Sequence, residues 1–185
     1  MQTWLTESIR DTALGQEADA ILRKCTHCGF CLATCPTYQL AGNELDSPRG
    51  RIYLMKNMLE RGEAPDAKTV LHIDRCLTCL SCMTTCPATV NYAHLLDHGR
   101  KYIEDNYTRP LPDRALRWTL SRLVPYPQRL RAALLGARVA KPLRDLMPGR
   151  LKNMVDLAPT KLPAASWADR GQGFPAAGEP RGRGA

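Results

Sequence analysis

CTHCGFCLATCP, at residues 25–36, is repeated 51 residues later as CLTCLSCMTTCP, at residues 76–87. Both copies follow the pattern C-x2-C-x2-C-x3-C-P, and together they contain all eight cysteines of the 185-residue chain. Three thiolates spaced three residues apart can bind one face of an iron–sulfur cubane from a single tight loop, and the fourth, followed by proline, points out of that loop. The repeat therefore predicts two 4Fe-4S clusters.

The spacing also predicts which cysteines share a cluster. In ferredoxins that carry two clusters with this spacing, the fourth cysteine of each motif binds the other cluster. The first cluster is then expected to be held by Cys25, Cys28, Cys31 and Cys86. The second is expected to be held by Cys76, Cys79, Cys82 and Cys35. Four thiolates on each cluster leave no iron open to a substrate, so electron carriage is expected and no catalytic residue is predicted.

Disulfide bonds and structural zinc are the alternative uses of these cysteines. Disulfides require an oxidising compartment, and the N-terminal segment MQTWLTESIRDTALGQEADAIL has acidic residues where an export signal begins with basic ones. Structural zinc sites usually contain paired C-x2-C units separated by a longer spacer, which differs from a triple followed by Cys-Pro. The iron–sulfur interpretation is favoured, and a zinc-binding scaffold without redox activity is its rival from another class.

The segment between the motifs predicts a helix with clear boundaries. Ser47 is a suitable N-cap, Pro48 suits the first helical position, and Gly62 stands where a C-terminal stop is expected. One apolar face recurs at helical spacing and is formed by Ile52, Met55, Met58 and Leu59.

Two further helices are expected on either side of the motifs. Residues 14–24 predict a short helix that leads into the first motif, and a second helix is expected after Pro87, through His94 to about Asp105. No segment alternates in the manner of a strand. The fold class is therefore predicted to be mainly α, with a helical-ferredoxin-type domain around the two clusters.

From Arg109 onward, prolines divide the sequence into short basic amphipathic pieces. The chain is thus predicted to consist of a two-cluster domain at residues 1–108, a basic helical linker region at 109–170, and a disordered Gly- and Pro-rich tail at 171–185. Apolar residues of the linker region are expected to face a core or a partner, and they are Trp118, Leu120, Leu123, Leu130, Leu134, Leu143 and Leu146.

Charge is distributed unevenly along the chain, whose formal charge is +8. Residues 1–108 contain 11 Lys and Arg against 13 Asp and Glu, a net charge of −2, and residues 109–185 contain 15 against 5, a net charge of +10. The basic part could contact the cluster domain, an acidic partner or an anionic membrane surface, or form a solvated face. No nucleic-acid-binding motif accompanies the charge, so no nucleic-acid partner is predicted.

Several residues near the motifs have two interpretations. Gly29 and Gly42 could allow close approach of the backbone to a cluster or be ordinary turn glycines. Arg49 and Arg51 could offset cluster charge or belong to a solvated helix start. Packing or surface roles, in preference to metal binding or catalysis, are expected for His27, His72, His94 and His98.

Three longer segments accompany the motifs: CPTYQL after the first, SPRGRIYLMK in the predicted helix, and YAHLLDHGR after the second. With the motifs, they resemble the iron–sulfur subunit of bacterial glycolate oxidase, also called glycolate dehydrogenase. The Cys-Pro repeats alone are shared with subunits of glycerol-3-phosphate dehydrogenase, lactate-utilisation and heterodisulfide reductase type. The resemblance extends, less specifically, into the basic region after Arg109.

The resemblance implies an electron-transfer subunit of a glycolate dehydrogenase complex. In that family, flavin-binding partner subunits oxidise glycolate to glyoxylate, and electrons pass through the clusters to a membrane acceptor and not to NAD. A cytoplasmic location is expected, at the cytoplasmic face of the inner membrane where partners provide attachment. Family members continue into CCG-type domains, and this sequence contains no Cys-Cys-Gly, so it is expected to correspond to the N-terminal two-cluster part. Lactate and glycerol 3-phosphate are the alternative electron donors.

Overall fold

The structure is a computed structural model that describes residues 1–147 and 149–159. Within these residues the secondary structure is helical and no strand occurs, so the expected mainly α fold class is confirmed. The chain divides into two compact units, the first from Met1 to Thr108 and the second beginning at Arg109. The predicted tail at residues 171–185 lies outside the described residues.

The first unit is built from short helices that connect and enclose the two motifs. Short 3-10 turns occur at Phe30–Leu32 and Glu44–Asp46. The α-helices, in chain order, are α1 (Glu7–Arg10), α2 (Ala13–Lys24), α3 (Pro36–Ala41), α4 (Pro48–Arg61), α5 (Ala67–Asp74), α6 (Ser81–Thr84) and α7 (Tyr92–Asn106).

Helix α4 has the boundaries that the sequence predicts. The Ser47 hydroxyl accepts a hydrogen bond from the Gly50 N–H at 2.9 Å, which satisfies one of the free donors of the first turn. Gly62 ends the helix in the left-handed conformation, with φ of +65°. The predicted apolar face is buried and is formed by Ile52, Met55, Met58 and Leu59.

The core of the first unit lies where α2, α4, α5 and α7 pack together. Helix α7 approaches α4 closely because it has a glycine at the contact: a Cβ placed on Gly99 would lie 2.6 Å from Met55 Sδ. The largest apolar side chains with less than 2% exposure are Leu22, Met55, Ile73, Leu95, Leu96 and Ile103. Helices α2 and α5 belong to this core, and they end just before the first cysteines of the two motifs, Cys25 and Cys76.

A polar contact adds to the packing of α2 against α7. The Glu17 carboxylate lies 2.7 Å from His94 Nδ1 and 2.8 Å from His98 Nε2. These hydrogen bonds, first that of His94, hold the pKa of Glu17 below its ordinary value. The packing or surface role expected of His94 and His98 is therefore supported, and their i, i+4 spacing lets both hydrogen-bond the same carboxylate of α2.

The second unit contains helices that leave most apolar side chains exposed. Its elements are α8 (Leu111–Leu123), α9 (Pro127–Ala140), a 3-10 helix (Lys141–Leu146) and α10 (Gly149–Asp156). Helices α8 and α9 contain no buried residue, and Trp118, Leu143 and Leu146 are all more than half exposed. These apolar side chains are expected from the sequence to face a core or a partner. Helices α8 and α9 do not form a core, because they bury none of their residues. No helix within residues 1–147 and 149–159 is both long and apolar enough to span a membrane.

Candidate iron–sulfur site

The two cysteine loops adopt the same backbone conformation at equivalent positions. Residues two places after the first cysteine, His27 and Thr78, have φ of +55° and +54°. Residues four places after it, Gly29 and Leu80, have φ of +87° and +59°. Left-handed residues alternating with right-handed ones turn successive N–H groups toward one concave side, where an anion can bind. The sequence repeat is therefore also a structural repeat, although only one of the four positions is glycine.

Backbone N–H groups in both loops point at the second cysteine of each motif. The N–H of Phe30 is the main cause that lowers the pKa of Cys28 below its ordinary value. The N–H of Ser81, at the equivalent position, is the main cause that lowers the pKa of Cys79. Both thiols are exposed. The loops are thus arranged to stabilise negative charge on sulfur, as an iron–sulfur ligand requires.

The cysteines expected to hold the first cluster surround one cavity. Its walls include Cys25, Cys28, Cys31 and Cys86, and also Cys82, which is expected to bind the second cluster; its volume is about 450 Å³ including space open to solvent. Burial raises the pKa of Cys25, and the nearby Cys86 raises it further. The structure therefore brings the fourth cysteine of the second motif to the loop of the first. Apolar residues complete the wall and are Pro48, Ile52, Pro87, Ala88 and Val90.

Cys82, which is expected to hold the second cluster, lies near the other three cysteines of that set and near Cys31 of the first set. Burial, together with the neighbouring charges of Cys31, Cys76, Cys35 and Cys79, raises the pKa of Cys82 to about 12. Cys35 itself is buried, so the fourth cysteine of the first motif lies beside the loop of the second. The side chains of the described residues include no three His, Cys, Asp or Glu that converge as for a single metal ion. The assignment of ligands to two clusters stays a prediction.

Arg49, at the start of α4, lies against the first loop. Its Nε is 2.5 Å from Glu44 Oε1, and its Nη1 donates to the His27 carbonyl oxygen at 3.4 Å. A Cβ on Gly29 would lie 2.8 Å from Arg49 Nη1, so this glycine leaves room for the Arg49 side chain; close approach of its backbone to a cluster stays a prediction. Gly42 has φ of +61°, caps the end of α3 and has nothing within 4 Å of an added Cβ, so it is an ordinary turn glycine.

Arg51 is buried beside Cys35, with 1% of its surface exposed. Its Nη1 donates to Thr37 Oγ1 at 3.0 Å and lies 4.0 Å from Cys35 Sγ. Its Nε donates to the His72 carbonyl oxygen at 2.7 Å. The alternative of a solvated helix start is therefore wrong for Arg51, because the first turn of α4 is covered by neighbouring segments.

Asp46 is a buried carboxylate that the sequence does not single out. It is 1% exposed and contacts Arg51 Nη2 at 3.4 Å, His72 Nδ1 at 2.9 Å and Arg75 Nη1 at 3.1 Å. Although burial acts to raise the pKa of Asp46, the contacts with His72 and Arg75 hold it below its ordinary value. The packing role expected of His72 is therefore confirmed.

Helix α7 supplies two more contacts to the second loop. The Tyr92 hydroxyl donates toward Cys76 Sγ at 3.6 Å, and burial, followed by the charge of Cys76, raises the pKa of Tyr92. Arg100 donates to the Cys76 carbonyl oxygen and to Thr78 Oγ1, both at 2.8 Å. Tyr92 and Arg100 are eight residues apart, about two helical turns, and this spacing in YAHLLDHGR is the signal that could have placed them on one face.

The remaining histidine lies at the edge of the first loop. His27 Nε2 is 3.1 Å from Met1 Sδ, and its ring meets that of Tyr53 edge to face, with the ring centroids 6.3 Å apart. Burial lowers the pKa of His27, and the charge of Arg49 lowers it further. This is a packing environment, as expected.

The first unit gathers eight cysteines around two matching loops, an arrangement that is typical of iron–sulfur proteins. Residues 21–90, which include both motifs, match the family model described as "4Fe-4S dicluster domain". The class of cofactor expected from the cysteine spacing is therefore supported independently of the geometry.

More specifically, the chain is similar to glycolate oxidase iron–sulfur subunits. It is 52% identical over 164 residues, 89% of its length, to the glycolate oxidase iron-sulfur subunit of Escherichia coli (strain K12). It is 40% identical over 115 residues, 61% of its length, to the probable glycolate oxidase iron-sulfur subunit of Bacillus subtilis (strain 168). The aligned parts cover 38% and 26% of those relatives. The resemblance expected from the sequence is confirmed, and no solved structure matches the chain.

Proposed function

We propose that this chain is the electron-transfer part of a glycolate-oxidising complex and binds two 4Fe-4S clusters through its eight cysteines. One site, here called the Cys86 site, consists of Cys25, Cys28, Cys31 and Cys86. The other, here called the Cys35 site, consists of Cys76, Cys79, Cys82 and Cys35.

One observation carries this proposal: each motif sends its fourth cysteine to the loop of the other. Cys86 lines the cavity formed by the first loop, and the charge of Cys35 acts on Cys82 in the second. Crossed placement of this kind is what two clusters with this spacing require. The neighbouring position of Cys31 and Cys82 in the same surroundings favours two sites that are close to each other.

The residues present fit the cofactor. A bound 4Fe-4S cluster accepts and donates one electron at a time. The loops supply four thiolates to each site and direct N–H groups at Cys28 and Cys79, which stabilises negative charge on the ligands. The apolar side chains of Ile52 and Val90 limit the access of water to the Cys86 site. Because every ligand position is filled by a thiolate, substrate oxidation belongs to a partner.

The partners follow from similarity. The relatives are named as subunits of glycolate oxidase, and this chain spans less than half of their length. We infer that flavin-binding subunits oxidise glycolate to glyoxylate and transfer electrons to this chain, which passes them toward a membrane acceptor at the cytoplasmic face of the inner membrane. No nucleic-acid partner is part of this proposal.

Metal analysis of the anaerobically purified chain tests the cofactor. We expect a brown protein with roughly eight irons and eight inorganic sulfides per chain, as two 4Fe-4S clusters require. A colourless protein that contains zinc and lacks sulfide would support the scaffold interpretation and reject the proposal.

A background that keeps one site tests the ligand assignment. Replacing Cys76 and Cys79 by serine should leave about four irons, those of the Cys86 site. In that background, adding Cys86→Ser should alter the visible and paramagnetic signals of the remaining cluster, and adding Cys35→Ser should leave them unchanged. The reverse result would reject crossed ligation while leaving the cluster count intact.

The substrate is tested with the partner subunits present. The complex, purified with its flavin-binding subunits, should lose visible absorbance in this chain when glycolate is added anaerobically. Lactate or glycerol 3-phosphate should bleach the clusters more slowly. Faster bleaching by either of these compounds would assign the chain to another dehydrogenase.

A further inference from the structure

We propose that the Cys35 site is the more easily reduced of the two, and that Arg51 is the residue responsible. Arg51 positions a hydrogen bond to Cys35 and supplies buried positive charge beside it. This inference rests on the two-cluster function proposed above and adds an order of reduction to it. The potential of an iron–sulfur cluster depends on hydrogen bonds to its sulfurs, on nearby charge and on solvent exposure.

The first argument concerns hydrogen bonds at Cys35. The Thr37 hydroxyl lies 3.2 Å from Cys35 Sγ and 2.9 Å from the Asp46 carbonyl oxygen. A cysteine bound to iron is a thiolate and can only accept, so the hydroxyl can donate to it. Arg51 donates to Thr37 Oγ1 at 3.0 Å. The hydroxyl proton of Thr37 is therefore directed at Cys35 Sγ or at the Asp46 carbonyl oxygen. The more negative the sulfur becomes on reduction, the stronger its bond to Thr37 becomes.

The second argument concerns charge. Arg51 is 1% exposed, so its charge is screened far less than that of a surface arginine. Its neighbour Asp46 brings one buried carboxylate, and Arg75, whose side chain is 51% exposed, brings a second guanidinium that solvent partly screens.

A third contact reaches the same site from α7. The Tyr92 hydroxyl lies 3.6 Å from Cys76 Sγ, and 3% of Tyr92 is exposed. A buried hydroxyl beside a thiolate has the same preference as Thr37, because it donates more strongly as the sulfur gains negative charge. The Cys35 site thus has two hydroxyl groups and a buried guanidinium directed at its sulfurs.

The surroundings of the Cys86 site differ at the equivalent positions. The residue two places after Cys86 is Ala88, which has no hydroxyl where the first motif has Thr37. The arginine beside the first loop, Arg49, has a side chain that is 31% exposed and paired with Glu44 at 2.5 Å. Both arginines are paired with a carboxylate, but solvent screens Arg49 and therefore weakens its effect on the Cys86 site more than it weakens the effect of Arg51 on the Cys35 site. The relay consequently has a direction, toward the Cys35 site.

A redox titration of the full, cluster-loaded chain tests this order. Anaerobic titration followed by electron paramagnetic resonance should show two one-electron steps, and the step at higher potential should be absent when Cys76 and Cys79 are replaced by serine. Arg51→Gln should make reduction at that step less favourable by about tenfold or more, a fall of 59 mV for a one-electron couple. Arg51→Lys, which keeps the charge, should retain most of the wild-type potential.

Matched variants separate a specific effect from general loss of structure. Arg49→Gln should change the upper step less than Arg51→Gln does. Thr37→Val and Tyr92→Phe remove only the hydroxyl groups, so each should lower the upper step even if Arg51→Gln fails to retain clusters. Ala88→Thr adds a hydroxyl at the Cys86 site and should raise the lower step.

Two results would overturn the inference. One is an upper step that survives replacement of Cys76 and Cys79, because it would then belong to the Cys86 site. The other concerns the equilibrium constant for reduction at the upper step. It would change less than about twofold in Thr37→Val and in Tyr92→Phe, and no more in Arg51→Gln than in Arg49→Gln. In both cases an unsubstituted chain that holds about eight irons would preserve the proposed function, whereas an unsubstituted chain without iron and sulfide would reject both.

Discussion

The two cysteine loops have the same backbone and different surroundings. His27 and Thr78 share one left-handed position, and Gly29 and Leu80 share another. The first loop lies beside Arg49, whose side chain is 31% exposed, whereas the second contacts the hydroxyl of the buried Tyr92. The difference shows that ligand spacing determines the local geometry, while the rest of the chain determines the environment in which each site works.

The same contrast appears in the two arginine–carboxylate pairs at the start of α4. Arg49 and Glu44 have side chains that are 31% and 47% exposed, and Arg51 and Asp46 have side chains that are each 1% exposed. An exposed ion pair adds little to stability because water and salt screen it. A buried pair depends on both partners, because removal of one leaves an uncompensated charge in the interior.

Replacing Asp46 gives the largest expected difference between the buried and the exposed arginine–carboxylate pairs. Asp46→Ala leaves Arg51 buried without its carboxylate and should destabilise the first unit by about 3–5 kcal/mol. For a chain of this size, each kcal/mol corresponds to a fall in Tm of about 2–4 °C. Anaerobic thermal unfolding, followed by circular dichroism and cluster absorbance, measures the change.

The matched control for this prediction is the exposed pair. Glu44→Ala removes the partner of Arg49 and should cost about 1 kcal/mol or less. Equal losses of Tm for the two substitutions would mean that burial does not distinguish the pairs. The buried and the exposed pair would then contribute equally to the free energy of unfolding.

Gly29 offers a second comparison, because Leu80 occupies the equivalent left-handed position. Gly29→Ala should lower the free energy of unfolding by about 1–2 kcal/mol, the usual penalty for an L-residue in this conformation. The added Cβ would lie 2.8 Å from Arg49 Nη1, so the guanidinium would also have to move. The matched control is Gly136→Ala in α9, where nothing lies within 4 Å and alanine should gain about 0.5–1 kcal/mol. A gain in Tm at both positions would show that the first loop is not constrained.

The sequence predicts the parts of this site that depend on local chemistry. Cysteine spacing identifies the ligands, and Ser47 and Gly62 give the boundaries of α4 because capping acts over a few residues. The burial of Asp46 and the approach of Tyr92 to Cys76 depend on contacts between distant segments. No local pattern distinguishes Asp46 from an ordinary surface aspartate, and the spacing of Tyr92 and Arg100 does not indicate which segment they contact.

The residues with positive φ also show a limit to what the sequence alone can predict. Glycine at position 29 suggests a positive φ, but Thr78 and Leu80 belong to residue types that rarely adopt one. Only the repeat, which aligns Leu80 with Gly29, could have indicated that the second loop copies the first. Their conformation is imposed by the loop as a whole, and some strain is the expected consequence.

The segments that follow the two motifs provide the smallest predicted effect. Cys35 and Pro36 lead directly into α3, whereas Cys86 and Pro87 lead to Thr89, an exposed residue with φ of +49°. Relief of left-handed strain is worth about 1–2 kcal/mol, and glycine loses about 0.5–1 kcal/mol of this through its greater freedom when unfolded. Thr89→Gly should therefore raise stability by about 0.5 kcal/mol or slightly more.

Thr85 is the control for this last substitution, because it is exposed and lies on the other side of Cys86. Its backbone is right-handed, with φ of −101°, so Thr85→Gly gains no relief and should lose at least about 0.5–1 kcal/mol, since it also removes the hydroxyl contacts with Thr34 Oγ1 and the Cys82 carbonyl oxygen. Opposite signs for the two variants, measured as the shift in Tm of the cluster-loaded chain, would show that the turn after the second motif is strained. A loss at both positions would mean that this turn is as relaxed as the helix that follows the first motif.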